Sequence, residues 1–214
     1  MKESASVRSQ LAAKRAMDVM ASGMALLLLS PIMAVIAVAV RVTSPGEIIF
    51  RQTRGGMGGR PFTIYKFRSM TRDAPASGPG SYVSGDDPRI TRVGRVLRRT
   101  SLDELPQLLN ILKGDMSIVG PRPDLPHHVE KYTPLQRRRL EVRPGITGWA
   151  QVCGRNQLSW DERITLDVEY VQHWSLLRDL DVIRRTVLVV LTGKGAALPM
   201  KVGDVRDDKD TDRC

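Results

Sequence analysis

Two adjacent carboxylates, Asp103 and Glu104, are the side chains whose types and placement best suit chemistry in this sequence. One carboxylate of such a pair can attack phosphorus as a nucleophile while the other binds Mg²⁺ or positions a phosphate. A stripe of cations at helical spacing precedes the pair and can neutralise phosphoryl charge: Arg92, Arg95 and Arg98 or Arg99. Carboxylates are also common caps at a helix start, so the pair alone fits either chemistry or capping.

The segment that must position this pair is TSLDELPQLLNILKGDMS, at 100–117. Its apolar pattern predicts a helix that Gly114 ends. Two starts compete, because Ser101 and Glu104 satisfy a capping box whereas Pro106 favours the first helical position and leaves both carboxylates just outside the helix. In either case the pair meets the positive end of the helix dipole, which favours the ionised carboxylates.

Upstream of the pair, two segments alternate as strands do: EIIFRQ at 47–52 and PFTIYKF at 61–67. The glycine-rich link between them, TRGGMGGR at 53–60, predicts a hairpin. Residues 71–89 are rich in Gly, Pro, Ser and Asp and indicate a mobile loop.

Downstream, the pattern predicts further helices at 133–142, 160–177 and 180–191. The last of these is strongly apolar but only about 12 residues long, where a membrane span needs about 20. It therefore indicates a core helix or a helix lying at an interface. The predicted fold class is mixed α/β, mainly helical, with a short β-hairpin.

Near the N-terminus, the apolar run at 16–42 has Asp18 and Arg41 as its only charges, both near its ends. A straight helix of this length would measure about 40 Å, against about 30 Å for the hydrocarbon core of a bilayer. The apolar part is roughly twice the usual signal-peptide core of 7–15 residues, which disfavours cleavage. The sequence therefore predicts a membrane segment.

Ser30 and Pro31 interrupt the middle of this run. Proline removes one backbone donor, and its ring clashes with the carbonyl of Leu27, so a kink is expected. The segment is either a kinked spanning helix or a helix-break-helix that enters and leaves by one membrane face. Lys14 and Arg15 flank one end and arginines follow the other, so both ends carry the charge of cytoplasmic segments. From the residues alone, both topologies stay open.

The chain has 33 basic and 23 acidic residues, a net charge of +10 and a pI near 10.1. This balance predicts a polyanionic partner, which can be nucleic acid, an anionic membrane or a phosphorylated substrate. Hydrophobic residues at 42% and charged residues at 26% exclude a disordered chain and a polytopic carrier. With 5% aromatics and no nucleic-acid-binding motif, we expect no nucleic acid partner.

Three motifs carry a family resemblance: KFRSM at 66–70, RRTSLDELPQLLNILKGDMSIVGPRP at 98–123 and VRPGITGWAQVCGR at 142–155. Placed in this order after a short membrane segment, they closely resemble the bacterial sugar transferase family, the monotopic polyprenyl-phosphate phosphoglycosyl transferases. The resemblance covers about 14–197. The chain looks like a minimal form that consists of the catalytic unit.

The resemblance implies an enzyme of class EC 2.7.8. It would move a sugar 1-phosphate from a UDP-sugar to polyprenyl phosphate, release UMP and use Mg²⁺, and the product would start a surface glycan. Asp103 would attack the β-phosphate to form a covalent phosphosugar intermediate that the lipid phosphate resolves. Glu104 would support the metal and the leaving group. The reaction would take place on the cytoplasmic face of the bacterial inner membrane. A re-entrant helix broken at Ser30 and Pro31 would hold the protein there.

The resemblance also predicts a set of substrate-binding residues: Lys66, Arg68, Arg98, Arg122, Arg143 and Asp179. Simpler roles compete for several of them. Arg98 can meet lipid phosphates at the interface, and Arg122 and Arg143 can brace loops beside prolines. Asp179 can cap a helix before Leu180.

The predicted organisation is an N-terminal tail at 1–13, a re-entrant membrane hairpin at 14–42, a cytoplasmic transferase domain at 43–200 and a disordered tail at 201–214. The expected partners are a UDP-sugar, polyprenyl phosphate and the lipid bilayer, and a homo-oligomer stays open. Two other functions compete: a one-step transferase acting through a ternary complex, and a membrane-anchored polyanion-binding protein. The motifs do not identify the donor sugar, and His127, His128 and the loop at 75–88 are candidate specificity positions.

Overall fold

The computed structural model describes residues 5–71, 87–154 and 158–192. Within these ranges the chain is mainly helical and has two small sheets of two strands each. The elements in chain order are α1 (Ala5–Thr43), β1 (Ile49–Gly55), β2 (Pro61–Phe67), α2 (Arg92–Thr100), α3 (Gln107–Lys113), β3 (Ser117–Val119), α4 (Pro126–Glu130), α5 (Pro134–Arg137), β4 (Gly145–Thr147), α6 (Trp149–Cys153), α7 (Trp160–Gln172) and α8 (Leu176–Thr192). A mainly helical α/β fold with a long apolar N-terminal helix is therefore confirmed.

The predicted hairpin is confirmed as well. Strands β1 and β2 pair antiparallel, with Ile49 opposite Phe67 and Gly55 opposite Pro61. Its glycine-rich turn holds Gly58 and Gly59 at φ of 68° and 76°, a conformation that residues with a Cβ rarely adopt. The hairpin thus places Lys66 and Phe67 at the end of β2, next to α2 and α3.

A parallel pair of strands, β3 and β4, was not predicted. Ser117 lies opposite Gly145, and Val119 lies opposite Thr147. The backbones come so close here that a Cβ on Gly145 would lie 2.2 Å from the amide nitrogen of Gly120. This pairing sets where the chain at 120–124 leaves the sheet.

Helix α1 contacts the rest of the protein along most of its length. In its middle, Ala25 and Leu26 pack on a buried cluster built mainly from β2 and α3. In its second half, Ile36 and Val40 are buried with side chains of β2 and α2. One face of α1 therefore lies against the domain on both sides of Pro31.

Polar contacts hold the first half of α1 as well. Lys14 Nζ donates to the carbonyl of Val119 at 3.0 Å and pairs with Asp179 at 2.5 Å. The buried carboxylate of Asp18 accepts from the amide of Ile118 at 3.0 Å. These contacts, which we call the anchor, join α1 to β3 and α8.

The opposite face of α1 is apolar and exposed. Its exposed side chains are Met17, Val19, Met20, Met24, Leu27, Leu28, Ile32, Val35, Val38 and Val42. The helix from Val7 to Thr43 is long and apolar enough to cross a membrane. A patch of this size and composition on a protein surface is typical of a membrane or partner contact.

Helix α1 is continuous through Ser30 and Pro31. Because Pro31 has no N–H, the carbonyl of Leu27 lacks its usual helical donor. The hydroxyl of Ser30 donates to that carbonyl at 2.8 Å and replaces the missing bond. A helix break at this pair is therefore not confirmed, and the re-entrant topology stays a prediction.

Two further sequence predictions are corrected at the helix boundaries. The predicted helix at 160–177 is two helices, because α7 ends at Gln172 and α8 begins at Leu176. The predicted helix at 133–142 is the single-turn α5 followed by a 3₁₀ turn, Arg138–Glu141. Most of the loop at 71–89 and the tail at 201–214 lie outside the described residues.

Candidate active site

The turn that carries Asp103 and Glu104 is a 3₁₀ turn, Leu102–Glu104, between α2 and α3. Ser101 ends α2 at φ 59°, so it lies in the left-handed region and makes no capping box with Glu104. Of the two starts considered for the apolar helix, the one at Pro106 is nearer to the structure, since α3 begins directly after that residue. Gly114 ends the helix at φ 93°, as predicted.

Ser101 is the one non-glycine residue with positive φ in the described part of the chain. Such a conformation costs on the order of 1–3 kcal/mol and persists where neighbouring structure enforces it. At this position it turns the chain so that both carboxylates stand outside the two flanking helices. Strain of this kind is concentrated at functional sites.

Glu104 is held between two cations from distant parts of the chain. Lys66 Nζ, at the end of β2, lies 2.8 Å from Glu104 Oε1. Arg122, in the loop after β3, donates to Oε1 at 2.6 Å and to Oε2 at 3.4 Å. Burial raises the pKa of Glu104, but the charges of Arg122 and Lys66 outweigh it and hold that pKa well below its usual range. Glu104 is therefore an ionised carboxylate at neutral pH.

Asp103 is only 9% exposed, and its carboxylate accepts no hydrogen bond from any residue that the structure describes. Its pKa is raised to about 6, first by burial and then by the neighbouring charge of Glu104. The cations of Lys66, Arg122 and Arg98 oppose this shift. At pH 7 Asp103 is therefore mostly ionised, desolvated and available to a ligand, as a nucleophile must be.

The structure brings three of the predicted substrate-binding residues to the surroundings of Asp103 and Glu104, which we call the active-site corner. Lys66 and Arg122 contact Glu104 directly, and Arg98, in the last turn of α2, acts electrostatically on Asp103. Arg68 is placed differently. It donates to the carbonyls of Ser44 at 2.5 Å and Val40 at 3.4 Å, where it caps the C-terminal end of α1.

Arg143 and Asp179 also make contacts outside this corner. Arg143 Nε donates to the carbonyl of Gly114 at 2.9 Å and lines a cavity of about 280 Å³ beside the first half of α1. Asp179, 3% exposed, accepts from Lys14, from Tyr170 Oη at 2.6 Å and from Trp174 Nε1 at 3.2 Å. Asp179 lies inside α8 and does not cap it before Leu180, so the capping alternative is wrong. A substrate contact of Arg68, Arg143 or Asp179 stays a prediction.

A buried network behind Arg122 could not be found from the sequence. Asp124 accepts from His128 Nδ1 at 2.7 Å, from Tyr132 Oη at 3.0 Å and from Trp160 Nε1 at 3.2 Å. Arg139 is buried beside it, although the adjacent arginines of the run, 137 and 138, are not. Three consecutive arginines carry no local signal that separates the buried one from the others. The network also gives His128 a structural contact.

Few side chains near the site could bind Mg²⁺. Within the described ranges there is no group of three or more acidic, histidine or cysteine side chains that could hold a metal. Mg²⁺ often binds one or two carboxylates and completes its shell with waters and substrate phosphates, so the pair at 103–104 fits such an ion. Both oxygens of Glu104 already face Arg122 or Lys66, which makes Asp103 the more available ligand.

Comparison with known proteins identifies relatives of this chain. The family model described as Bacterial sugar transferase matches residues 9–193. An uncharacterized sugar transferase, EpsL, of Bacillus subtilis is 46% identical over 182 residues, which cover 85% of this chain and 89% of that protein. The UDP-glucose:undecaprenyl-phosphate glucose-1-phosphate transferase of Caulobacter vibrioides is 46% identical over 191 residues, covering 86% of this chain and 71% of that protein.

A third relative acts on a different sugar by its name. It is the UDP-N-acetylgalactosamine-undecaprenyl-phosphate N-acetylgalactosaminephosphotransferase of Aeromonas hydrophila, 42% identical over 189 residues. The match covers 86% of this chain and 44% of that longer protein. The family model and these relatives each cover most of the chain, including both carboxylates. The chain belongs to the bacterial sugar transferase family.

Proposed function

We propose that this protein transfers a sugar 1-phosphate from a UDP-sugar to polyprenyl phosphate, releases UMP and thereby starts a surface glycan. The observation that carries the proposal is Asp103, a buried and mostly ionised carboxylate without a hydrogen-bond donor among the described residues. The relatives named above act on UDP-sugars and undecaprenyl phosphate. Because those names include two different sugars, the donor sugar stays open.

The chemistry proceeds in two steps. An oxygen of Asp103 attacks the β-phosphorus of the UDP-sugar, and the bond between that phosphorus and the bridging oxygen breaks, so that UMP leaves with the electron pair. A phosphate oxygen of the lipid then attacks the same phosphorus. This releases polyprenyl diphosphosugar and regenerates the carboxylate. A soluble donor and a lipid acceptor can therefore use one site in turn.

The neighbouring charges suit this route. Lys66, Arg98 and Arg122 surround the carboxylates with positive charge, which attracts a diphosphate and stabilises negative charge that develops on its oxygens. By pairing with two of these cations, Glu104 keeps them in a fixed arrangement. Bound Mg²⁺ would neutralise further phosphate charge, and Asp103 and Glu104 are the side chains that would hold it.

We further propose that α1 enters the bilayer from the cytoplasmic face of the inner membrane and returns to it. Two observations support this placement. Both halves of α1 pack on the domain that carries Asp103, which a straight helix crossing away from that domain would not do. Its opposite face is apolar and exposed. The exposed apolar side chains of α8, among them Leu177 and Leu188, suit a helix that lies at the interface.

The topology is tested with single cysteines at Ser9 and Glu47, one on each side of the apolar run, in a chain whose Cys153 and Cys214 are replaced by serine. In intact cells, a membrane-impermeant maleimide should label neither position, and both should react after lysis. Labelling of one position in intact cells would instead establish a spanning helix.

The activity is tested by measuring UMP release by solubilised protein across a panel of UDP-sugars, with and without Mg²⁺ and polyprenyl phosphate. Release that requires Mg²⁺ and is lost in Asp103→Asn would support the proposal. A sub-stoichiometric burst without lipid would support the covalent step, whereas release that strictly requires the lipid would favour a ternary complex. Folded protein that releases UMP from no donor would favour the polyanion-binding function.

A further inference from the structure

The loop that carries Arg122, residues 120–124, is fixed by its neighbours. Every carbonyl from 121 to 124 accepts a hydrogen bond from outside the loop. The donors are Gly145 N to Pro121 (3.0 Å), Arg139 to Arg122 (2.9 Å), Arg54 to Pro123 (3.4 Å) and Gly55 N to Asp124 (2.9 Å). Prolines at 121 and 123 fix φ and provide no N–H, so the loop is held through these carbonyls.

The bond to the carbonyl of Arg122 comes from the most buried of the side-chain donors. Arg139 is 6% exposed, and its guanidinium also donates to Tyr132 Oη at 2.6 Å and to Asp167 at 2.5 Å. A planar guanidinium can serve these three acceptors at once, whereas a lysine ammonium on a flexible stem cannot hold the same directions. Asp167, almost fully buried on α7, thus fixes Arg139, and Arg139 holds the loop.

The Arg139–Asp167 pair is a costly way to stabilise a fold. Two charges are removed from water, and replacing such a pair by apolar side chains is often neutral or stabilising. The second oxygen of Asp167 has no hydrogen-bond partner. The pair instead orients the Arg122 side chain, because it fixes the backbone from which Arg122 reaches Glu104. A misplacement of about 1 Å in a catalytic arrangement can cost about 10²-fold in rate.

We propose that Arg139, oriented by Asp167, is a positioning residue for the sugar-phosphate transfer: it holds the carbonyl of Arg122 so that the Arg122 side chain is presented to Glu104. The catalytic consequence rests on the proposed function, whereas the structural part of the inference does not. Arg139 touches neither carboxylate of the active pair, and besides the carbonyl of Arg122 it faces Asp124 of the same loop at 3.8 Å.

The test uses a double variant, Arg139→Met with Asp167→Leu, which removes both charges of the pair together. Asp124, which Arg139 also faces at 3.8 Å, keeps its bonds from His128, Tyr132 and Trp160. The control is Arg178→Met with Glu169→Leu, a more exposed 2.6 Å pair between α8 and α7 that does not touch the loop. We expect kcat for UMP release to fall roughly 10- to 100-fold in the first variant and to change less than about twofold in the control. Equal losses in both would overturn the proposal.

A mutant cycle separates positioning from general damage. In an Arg122→Ala background, adding the Arg139 and Asp167 changes should cause almost no further loss, because the residue they act through is gone. Independent, multiplicative losses would contradict the proposal. Arg139→Lys provides a second variant that keeps the charge opposite Asp167. It should stay folded and still show a reduced kcat, and full parental activity would count against the role of the guanidinium.

Hydrogen exchange gives a readout that does not depend on activity. The amides of Gly55 and Gly145, which donate to the loop carbonyls of Asp124 and Pro121, should exchange faster in the double variant than in the parent or the control. If the parent releases no UMP from any donor, the proposed function fails, and exchange still decides whether Arg139 holds the loop. Unchanged exchange at the Gly55 and Gly145 amides would overturn the inference even in an active enzyme.

Discussion

Two regions of this molecule bury carboxylates to a similar degree and use them differently. In the anchor, Asp179 accepts from Lys14, Tyr170 and Trp174. In the active-site corner, Asp103 accepts from no described residue, although it is only 9% exposed. The carboxylate of Asp179 is thus satisfied by protein groups, whereas that of Asp103 remains available to a ligand.

This difference indicates that the anchor carboxylates contribute to stability, whereas Asp103 contributes to the reaction. A buried charge that is satisfied by several donors costs much to disturb. A buried charge without donors has a perturbed pKa and is available to react, and such groups are concentrated in active sites. Changes in the anchor should therefore lower the free energy of unfolding, and changes at Asp103 should lower the rate.

The largest expected effect is the loss of activity in Asp103→Asn. The amide keeps the shape but cannot act as a nucleophile, so UMP release should fall by about 10³-fold or more. Single-turnover assays with the best donor, with and without lipid, measure this loss. Asp181→Asn is the control, because this partly exposed carboxylate pairs with Arg184 and Arg185 of its own helix, and its kcat per folded molecule should stay close to that of the parent. If Asp103→Asn kept a turnover close to that of the parent, Asp103 would not be the nucleophile.

The second effect concerns the anchor. Asp179→Asn removes the charge that Lys14 faces and should lower the free energy of unfolding by about 3 kcal/mol. Denaturant unfolding in detergent, followed by tryptophan fluorescence, measures this change. If stability is unchanged and KM for the donor rises instead, Asp179 binds substrate, as the family resemblance implies.

The two regions also differ in how well the sequence predicted them. Some features depend on local sequence patterns, and a short stretch of sequence was enough to predict each of them. They are the β1–β2 hairpin, the glycine that ends α3 and the apolar helix α1. The convergence of Lys66 and Arg122 on Glu104 joins residues 38 and 18 positions apart, and spacing does not predict it. The family resemblance gave both cations as substrate-binding residues but did not give their contact with Glu104. The anchor links residues up to 165 positions apart, and no local pattern indicates it.

The errors have physical causes. Ser101 was a good capping residue by type, but its left-handed backbone belongs to the end of α2, so its side chain does not cap the next turn. The pairing of β3 with β4 joins two strands of three residues each, too short to show alternation. Arg139 is buried by α7, a helix that lies later in the chain.

A third prediction concerns pH and sharpens the same comparison. Because the pKa of Asp103 is raised to about 6 in the folded protein, above its ordinary 3.8, its contribution favours folding at low pH and is lost as the pH rises through 6. Without divalent cations, Asp103→Asn should therefore be more stable than the parent by about 1–3 kcal/mol at pH 7.5.

This difference in unfolding free energy should shrink toward zero near pH 4, and denaturant titrations at pH 4.5, 6.0 and 7.5 measure it. Asp179→Asn serves as the reference, because it should be less stable than the parent at pH 7.5. A parent that is as stable as Asp103→Asn at every pH would mean that burial of the 103 carboxylate carries no cost.

The smallest effect is expected inside α1, at a hydrogen bond between two neutral groups. The contacts of the anchor, by contrast, involve charged side chains. Ser30→Ala removes the donor to the carbonyl of Leu27, which Pro31 leaves without a helical partner, and should cost about 1 kcal/mol. In a Pro31→Ala background the new backbone N–H can reach that carbonyl, so Ser30→Ala should cost almost nothing there. Unfolding in lipid or detergent measures both values. Equal losses in the two backgrounds would mean that the hydroxyl does not replace the missing bond, and Pro31 would then be tolerated in this helix for another reason.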